Sequence, residues 1–161
     1  MSDAATATGG ITEEAHLEAE KRIGKFSYRK PEEFDRVKVS VRLARSDLCR
    51  GFVQVVRKDG GETNLHYHSR VDAIWMVLKG RAKFYKPGDE VIGEFGPHEG
   101  LLMPRFARYW FECVSDEDLE IMLVQAFDQA GAKNSGRTDS APRNPRLTDI
   151  GEFKHFSAEA E

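Results

Sequence analysis

Two histidines, His66 and His68, stand two positions apart in the short segment Leu65 to His68. In an extended strand that spacing turns both imidazoles to one face. A pair of neutral imidazoles on one face is half of a site for a divalent transition metal such as iron, zinc, nickel or manganese. The same pair can act as acid, base or hydrogen-bonding groups with no ion present. It can also stand exposed on a strand, so the surrounding elements decide its meaning.

Those elements are strands. Val37, Val39, Val41 and Leu43 alternate with Lys38, Ser40, Arg42 and Ala44, which predicts a strand with one buried face. Residues 51–57, 65–68, 73–79, 82–85, 100–103, 109–114 and 119–127 read as further strands. Turn signals separate them at Asp59-Gly60-Gly61, at Lys86-Pro87-Gly88-Asp89 and at the acidic run Ser115 to Asp118. Short strands with frequent turns and no intervening helical period predict an all-β sandwich or barrel. Three segments follow: an N-terminal tail and short helix over 1–25, a barrel over 26–127, and an extended C-terminal tail over 128–161. Thr12 is the expected helix N-cap and Gly24 its stop, with residues 1–10 disordered. Phe153 and Phe156 are expected to dock the tail.

The composition excludes several classes. The chain has 161 residues, of which 40% are hydrophobic and 32% charged, with a formal net charge of -3. A near-balanced charge argues against nucleic acid as a partner. No apolar run is long enough to span a membrane as a helix. The start, MSDAATATGGITEE, lacks the basic and apolar regions of a secretory signal, so a cytoplasmic location is expected. Cys49 and Cys113 form no CxxC pair and are expected to be reduced core residues.

The spacing from Gly60 to His66 and His68, and then to Gly80, resembles the first motif of the cupin superfamily. Pro97-His-Glu-Gly100-Leu-Leu-Met-Pro104, followed by Tyr109, resembles the second. The resemblance covers 37–127. It implies a jelly-roll β-barrel with metal ligands facing inward, and a homodimer formed through exposed strand edges. The family's usual ligands are three histidines and a glutamate. Here the glutamate position falls on Ala73 and the third histidine position on Tyr109.

Three arrangements follow from those departures. A metal is held by His66, His68 and a Tyr109 phenolate; or Asp72 turns inward to complete two histidines and a carboxylate; or no metal binds and the rings act alone. Strand parity then places Trp75 with position 73, and Phe111 with Tyr109, in an aromatic-lined pocket for a small-molecule ligand. Arg105 and Arg108, in the loop leading to Tyr109, are candidates to hold a carboxylate. The resemblance implies an enzyme. The residual set suits metal-assisted lyase, isomerase or cyclase chemistry, with Tyr109 and Asp72 as candidate catalytic groups. A non-catalytic binding or sensor domain and an iron-dependent dioxygenase are the alternatives.

Overall fold

The computed structural model describes residues 10–58, 60, 63–140 and 154–157. The tail expected over 1–10 and the turn at Asp59 to Gly61 fall largely outside them. Strands β1 (Lys38–Arg45), β2 (Cys49–Val56), β3 (His66–His68), β4 (Val71–Lys79) and β5 (Ala82–Tyr85) form the first half of the fold. Strands β6 (Val91–Phe95), β7 (Gly100–Met103), β8 (Trp110–Cys113) and β9 (Leu119–Phe127) form the second. Two more, β10 (Arg137–Asp139) and β11 (Lys154–Ser157), follow from the C-terminal segment. Strands β6, β10 and β11 carry no clear alternation in the sequence. The eight expected strands are present, with ends shifted by a few residues.

One sheet has six strands in the order β11-β1-β2-β9-β4-β7. A second layer comprises β6-β5-β8 and the pair β10-β3, joined through a bridge between His66 and Tyr109. Trp75 and Val77 of β4 and Ile121 of β9 pack against Phe84 of β5 and Phe111 of β8 in one buried cluster. This sheet-on-sheet arrangement is a jelly roll.

Strand β4 shows the expected alternation, with Val71, Ala73, Trp75 and Val77 buried and Asp72 and Ile74 exposed. Strand β1 differs from expectation. Val39 and Val41 are buried, but so are Lys38 and Ser40. Val39 packs with Val55 and Phe34, and Tyr28 covers them from the side. The segment ahead of β1 thus shields the apolar outer face, and the polar face of the strand turns inward.

The helix α1 (Glu13–Glu20) is shorter than expected. Thr12 caps it, its hydroxyl accepting from the Ala15 amide at 3.2 Å. None of its residues is buried, so no packing extends it toward Gly24. Both cysteines are free; Cys113 is half-buried against the core, but Cys49, expected there, is exposed. No helix among the described residues is long and apolar enough to cross a membrane.

Gly100 of β7 lies hard against the Trp75 backbone of β4. A Cβ there would lie 1.8 Å from the Trp75 carbonyl oxygen, whereas one at Gly24 would meet nothing within 4 Å. Gly100→Ala is therefore expected to destabilise the protein by at least about 2 kcal/mol, and Gly24→Ala by less than about 0.5 kcal/mol. Thermal or urea unfolding of the two variants checks the contrast.

Candidate functional site

A cavity of about 270 Å³ lies inside the barrel, lined from both layers. His66 and Tyr109 face each other across the bridge between their strands. The His66 amide donates to the Tyr109 carbonyl at 3.1 Å, and the Tyr109 amide donates to the His66 carbonyl at 2.9 Å. Residues directly opposite in an antiparallel pair project to the same side. The ring centroids of His66 and Tyr109 are accordingly 4.5 Å apart, those of His66 and His68 5.2 Å, and those of His68 and Tyr109 6.4 Å.

Each imidazole is held through Nδ1. That of His66 lies 2.6 Å from the Asn64 carbonyl oxygen. A carbonyl only accepts, so Nδ1 carries the proton and Nε2 of the neutral ring keeps its lone pair. Nδ1 of His68 lies 2.8 Å from the Ser135 hydroxyl. Ser135 comes from the segment expected to be an extended tail. Residues 137–139 instead pair with β3, matching Arg137 with His68 and Asp139 with His66.

Burial and charge set the protonation states. Desolvation, and next the positive field of Arg137, push the His66 pKa down to about 2. Desolvation, then Arg137 and Arg50, push that of His68 down to about 4. The Tyr109 phenol is driven upward by burial, against the opposing effects of Arg137 and of the Trp75 indole. At neutral pH both imidazoles are uncharged and the phenol keeps its proton.

Three basic residues share the remaining lining with neutral polar side chains such as Ser40, Gln54 and Gln125. Arg50 donates from Nε to the Gln125 side chain at 2.7 Å and lies over the rings of Phe52 and Phe127. Arg137 approaches the cavity from the rim, its guanidinium 3.3 Å from a carboxylate oxygen of Asp139. Lys38 projects from β1. No aspartate or glutamate lines the cavity among the described residues.

The structure brings His66, His68, Tyr109, Trp75 and Phe111 to one cavity. Asp72, Arg105 and Arg108 lie elsewhere. Asp72 follows the outward parity set by its buried neighbours Val71 and Ala73. Its carboxylate accepts from the Arg105 amide at 2.9 Å and lies 3.5 Å from the Arg105 guanidinium, both side chains being nearly half exposed. Arg108 is exposed and lines no part of the cavity. The basic residues that do reach it are Arg50, Arg137 and Lys38. Lys38 was legible only as a member of the alternating strand that begins at Val37, Arg50 stood just ahead of the strand expected over 51–57, and Arg137 had no local signal.

The fit to a metal ion can be read from these groups. Two Nε2 lone pairs supply two positions. Ala73 offers a methyl group where a carboxylate is needed. No three His, Cys, Asp or Glu side chains come together among the described residues. The guanidiniums of Arg50 and Arg137 add repulsion to any cation. The residues present therefore do not fit a resident divalent ion.

No family model and no curated protein sequence matches the chain. Solved structures do. A cupin superfamily protein from Desulfitobacterium hafniense aligns over 66% of this chain and 99% of its own, with a TM-score of 0.53 and 18% identity. A conserved protein with a double-stranded β-helix domain from Klebsiella pneumoniae aligns over 75% and 93%, with a TM-score of 0.53 and 18% identity. The fold is that of a cupin. A recombinant oxalate oxidase in complex with glycolate shares the same cupin fold over 72% of this chain and 61% of its own, with a TM-score of 0.54 and 14% identity.

The imidazole pKa values carry a pH dependence for this cupin barrel. An unfolded histidine takes up a proton near pH 6.5, whereas His68 and His66 resist protonation to about 4 and about 2. Between those limits the unfolded state binds more protons, so stability falls as pH is lowered from about 6.5 toward 4. Unfolding free energies measured over that range should decline in the wild type and decline less in His66→Gln and His68→Gln. An unchanged slope in both variants would contradict the buried, neutral imidazoles.

Proposed function

We propose that the barrel binds a small organic anion bearing a carboxylate and catalyses a proton transfer on it, as in a lyase, isomerase or cyclase. The observation that carries this reading is the lining itself: two guanidiniums, two neutral imidazoles and a buried phenol around one cavity with no acid among its described residues. Arg50 and Arg137 are suited to hold the carboxylate. Trp75 and Phe111 would flank the apolar body of the ligand.

The proton chemistry falls to the three rings. Nε2 of His66 and His68 can accept a proton, and the Tyr109 phenol can donate one. The bound anion itself tunes these groups. Its negative charge offsets the field of Arg137 and Arg50 and so raises the basicity of the imidazoles toward a working range. The buried indole N–H of Trp75, which bears on the Tyr109 phenol, is available to the ligand or to the phenol oxygen.

A second reading is binding without turnover. It is favoured by the strongly lowered basicity of both imidazoles, which makes them weak proton acceptors until charge is supplied. The iron-dependent dioxygenase reading finds less support, because Asp72, the carboxylate it requires, stands on the outer face beside Arg105.

Isothermal titration at low salt with lactate, pyruvate, malonate and succinate tests the anion site. Binding of at least one of them is expected, weakened about tenfold or more by Arg50→Ala and by Arg137→Ala, which corresponds to about 1.4 kcal/mol each. Exchange of the ligand's acidic C–H protons in D₂O, abolished in Tyr109→Phe, would separate catalysis from binding alone. Failure of every carboxylate to bind would refute the reading.

A further inference from the structure

We infer that Gln54 reads a hydroxyl group on the ligand, at the end remote from its carboxylate, which makes the ligand a hydroxy acid with the two groups at opposite ends. The inference rests on the anion-binding reading for the carboxylate. It rests on the inner face of β2 for the hydroxyl.

Arg50, Phe52 and Gln54 follow one another along that face, and all three line the cavity. Alternate residues of a strand share a face, and the four steps from Arg50 to Gln54 span about 13 Å of strand. The wall thus runs from a guanidinium, past an apolar ring, to a neutral amide. Two glutamines stand on it in different states. The Gln125 side-chain oxygen, level with Arg50 on β9, accepts from Nε of that arginine at 2.7 Å. Gln54 has Ile121 as its neighbour on β9 and Val77 beyond it on β4, and neither side chain can hydrogen-bond. On its other side Ser40 of β1 stands directly opposite and faces the same cavity.

Gln54 is half-buried, and its Oε1 is fully buried with no hydrogen-bond partner among the described residues. An amide oxygen in that state has given up water and gained no replacement, which destabilises the fold. A hydrogen-bonding group on the ligand is the replacement that the cavity can receive. The last torsion of a glutamine is soft, so a turn of the amide presents its oxygen or its NH₂ to that group. A hydroxyl both donates and accepts, and so suits the amide as well as the Ser40 hydroxyl opposite. A second carboxylate suits the amide less, because it only accepts and leaves the oxygen unpaired. The order along β2 then sets the ligand's own order: carboxylate at Arg50, apolar chain along Phe52, hydroxyl at Gln54.

The test is isothermal titration of the full chain with 3-hydroxypropionate, 4-hydroxybutyrate and 5-hydroxypentanoate. Butyrate, pentanoate and hexanoate, in which a methyl group replaces the hydroxyl, are the paired controls. At least one hydroxy acid is expected to bind about tenfold or more tighter than its methyl counterpart. Gln54→Met should erase that preference and raise the melting temperature, because an apolar chain of similar size replaces an unpaired amide. An amide that merely supported the fold would lower the melting temperature on removal. The wild-type comparison stands on its own if the variant does not fold. A preference that survives Gln54→Met would overturn the assignment to Gln54. Hydroxy and methyl acids that bind alike, both weakened by Arg50→Ala, would overturn the hydroxyl site and leave the anion site standing. Failure of every acid, with Gln54-dependent binding of 1,4-butanediol, would keep the hydroxyl site and overturn the anion site. No binding by any of these compounds would overturn both.

Discussion

A barrel interior that holds cationic side chains and, among the described residues, no carboxylate is under a single constraint: its other titratable groups must stay neutral. The fields of Arg137 and of burial act together on His66, His68 and Lys38 and push all three toward their uncharged forms. The same burial holds the proton on Tyr109. What results is a cavity rich in lone pairs, with positive charge concentrated in guanidiniums that cannot lose it. Such a cavity repels free cations and has room for an anion to neutralise it.

The fold exists to make that interior. The bridge between His66 and Tyr109 sets the two rings on one side of the second layer. The pairing of β10 with β3 brings Ser135 and Arg137 over the imidazoles, one to hold a ring and the other to bias its charge. On the far layer, Tyr28 and Phe34 cover the valine face of β1 and β2. That cover is what allows the polar faces of those strands, with Lys38, Ser40, Arg50 and Gln54, to line the inside.

Much of this was legible in the sequence, and the limits have physical reasons. The spacing of His66 and His68 set their common face, and the alternation of β4 placed Ala73 and Trp75 inward, whereas Asp72, taken as a candidate catalytic group that turns inward, stands on the outer face. The resemblance to cupin motifs located Tyr109. Alternation in β1 was read correctly as two distinct faces, but the valine face was taken as the inner one. Alternation distinguishes faces without saying which of them meets the cavity, and here a distant segment buries the apolar face from outside. Arg105 and Arg108 were chosen for proximity along the chain, whereas Arg137 arrives by a pairing across some seventy residues between β3 and β10. No local pattern announces a strand of three exposed polar residues.

The neutral state of the imidazoles is the point on which the rest turns, and nitrogen-15 NMR of the histidine rings measures it directly. At about pH 6 the resonances of His66 should report an uncharged ring with the proton on Nδ1 and a bare Nε2, and those of His68 an uncharged ring. Imidazolium shifts for both rings at that pH, or a His66 proton on Nε2, would contradict the electrostatic picture of the cavity.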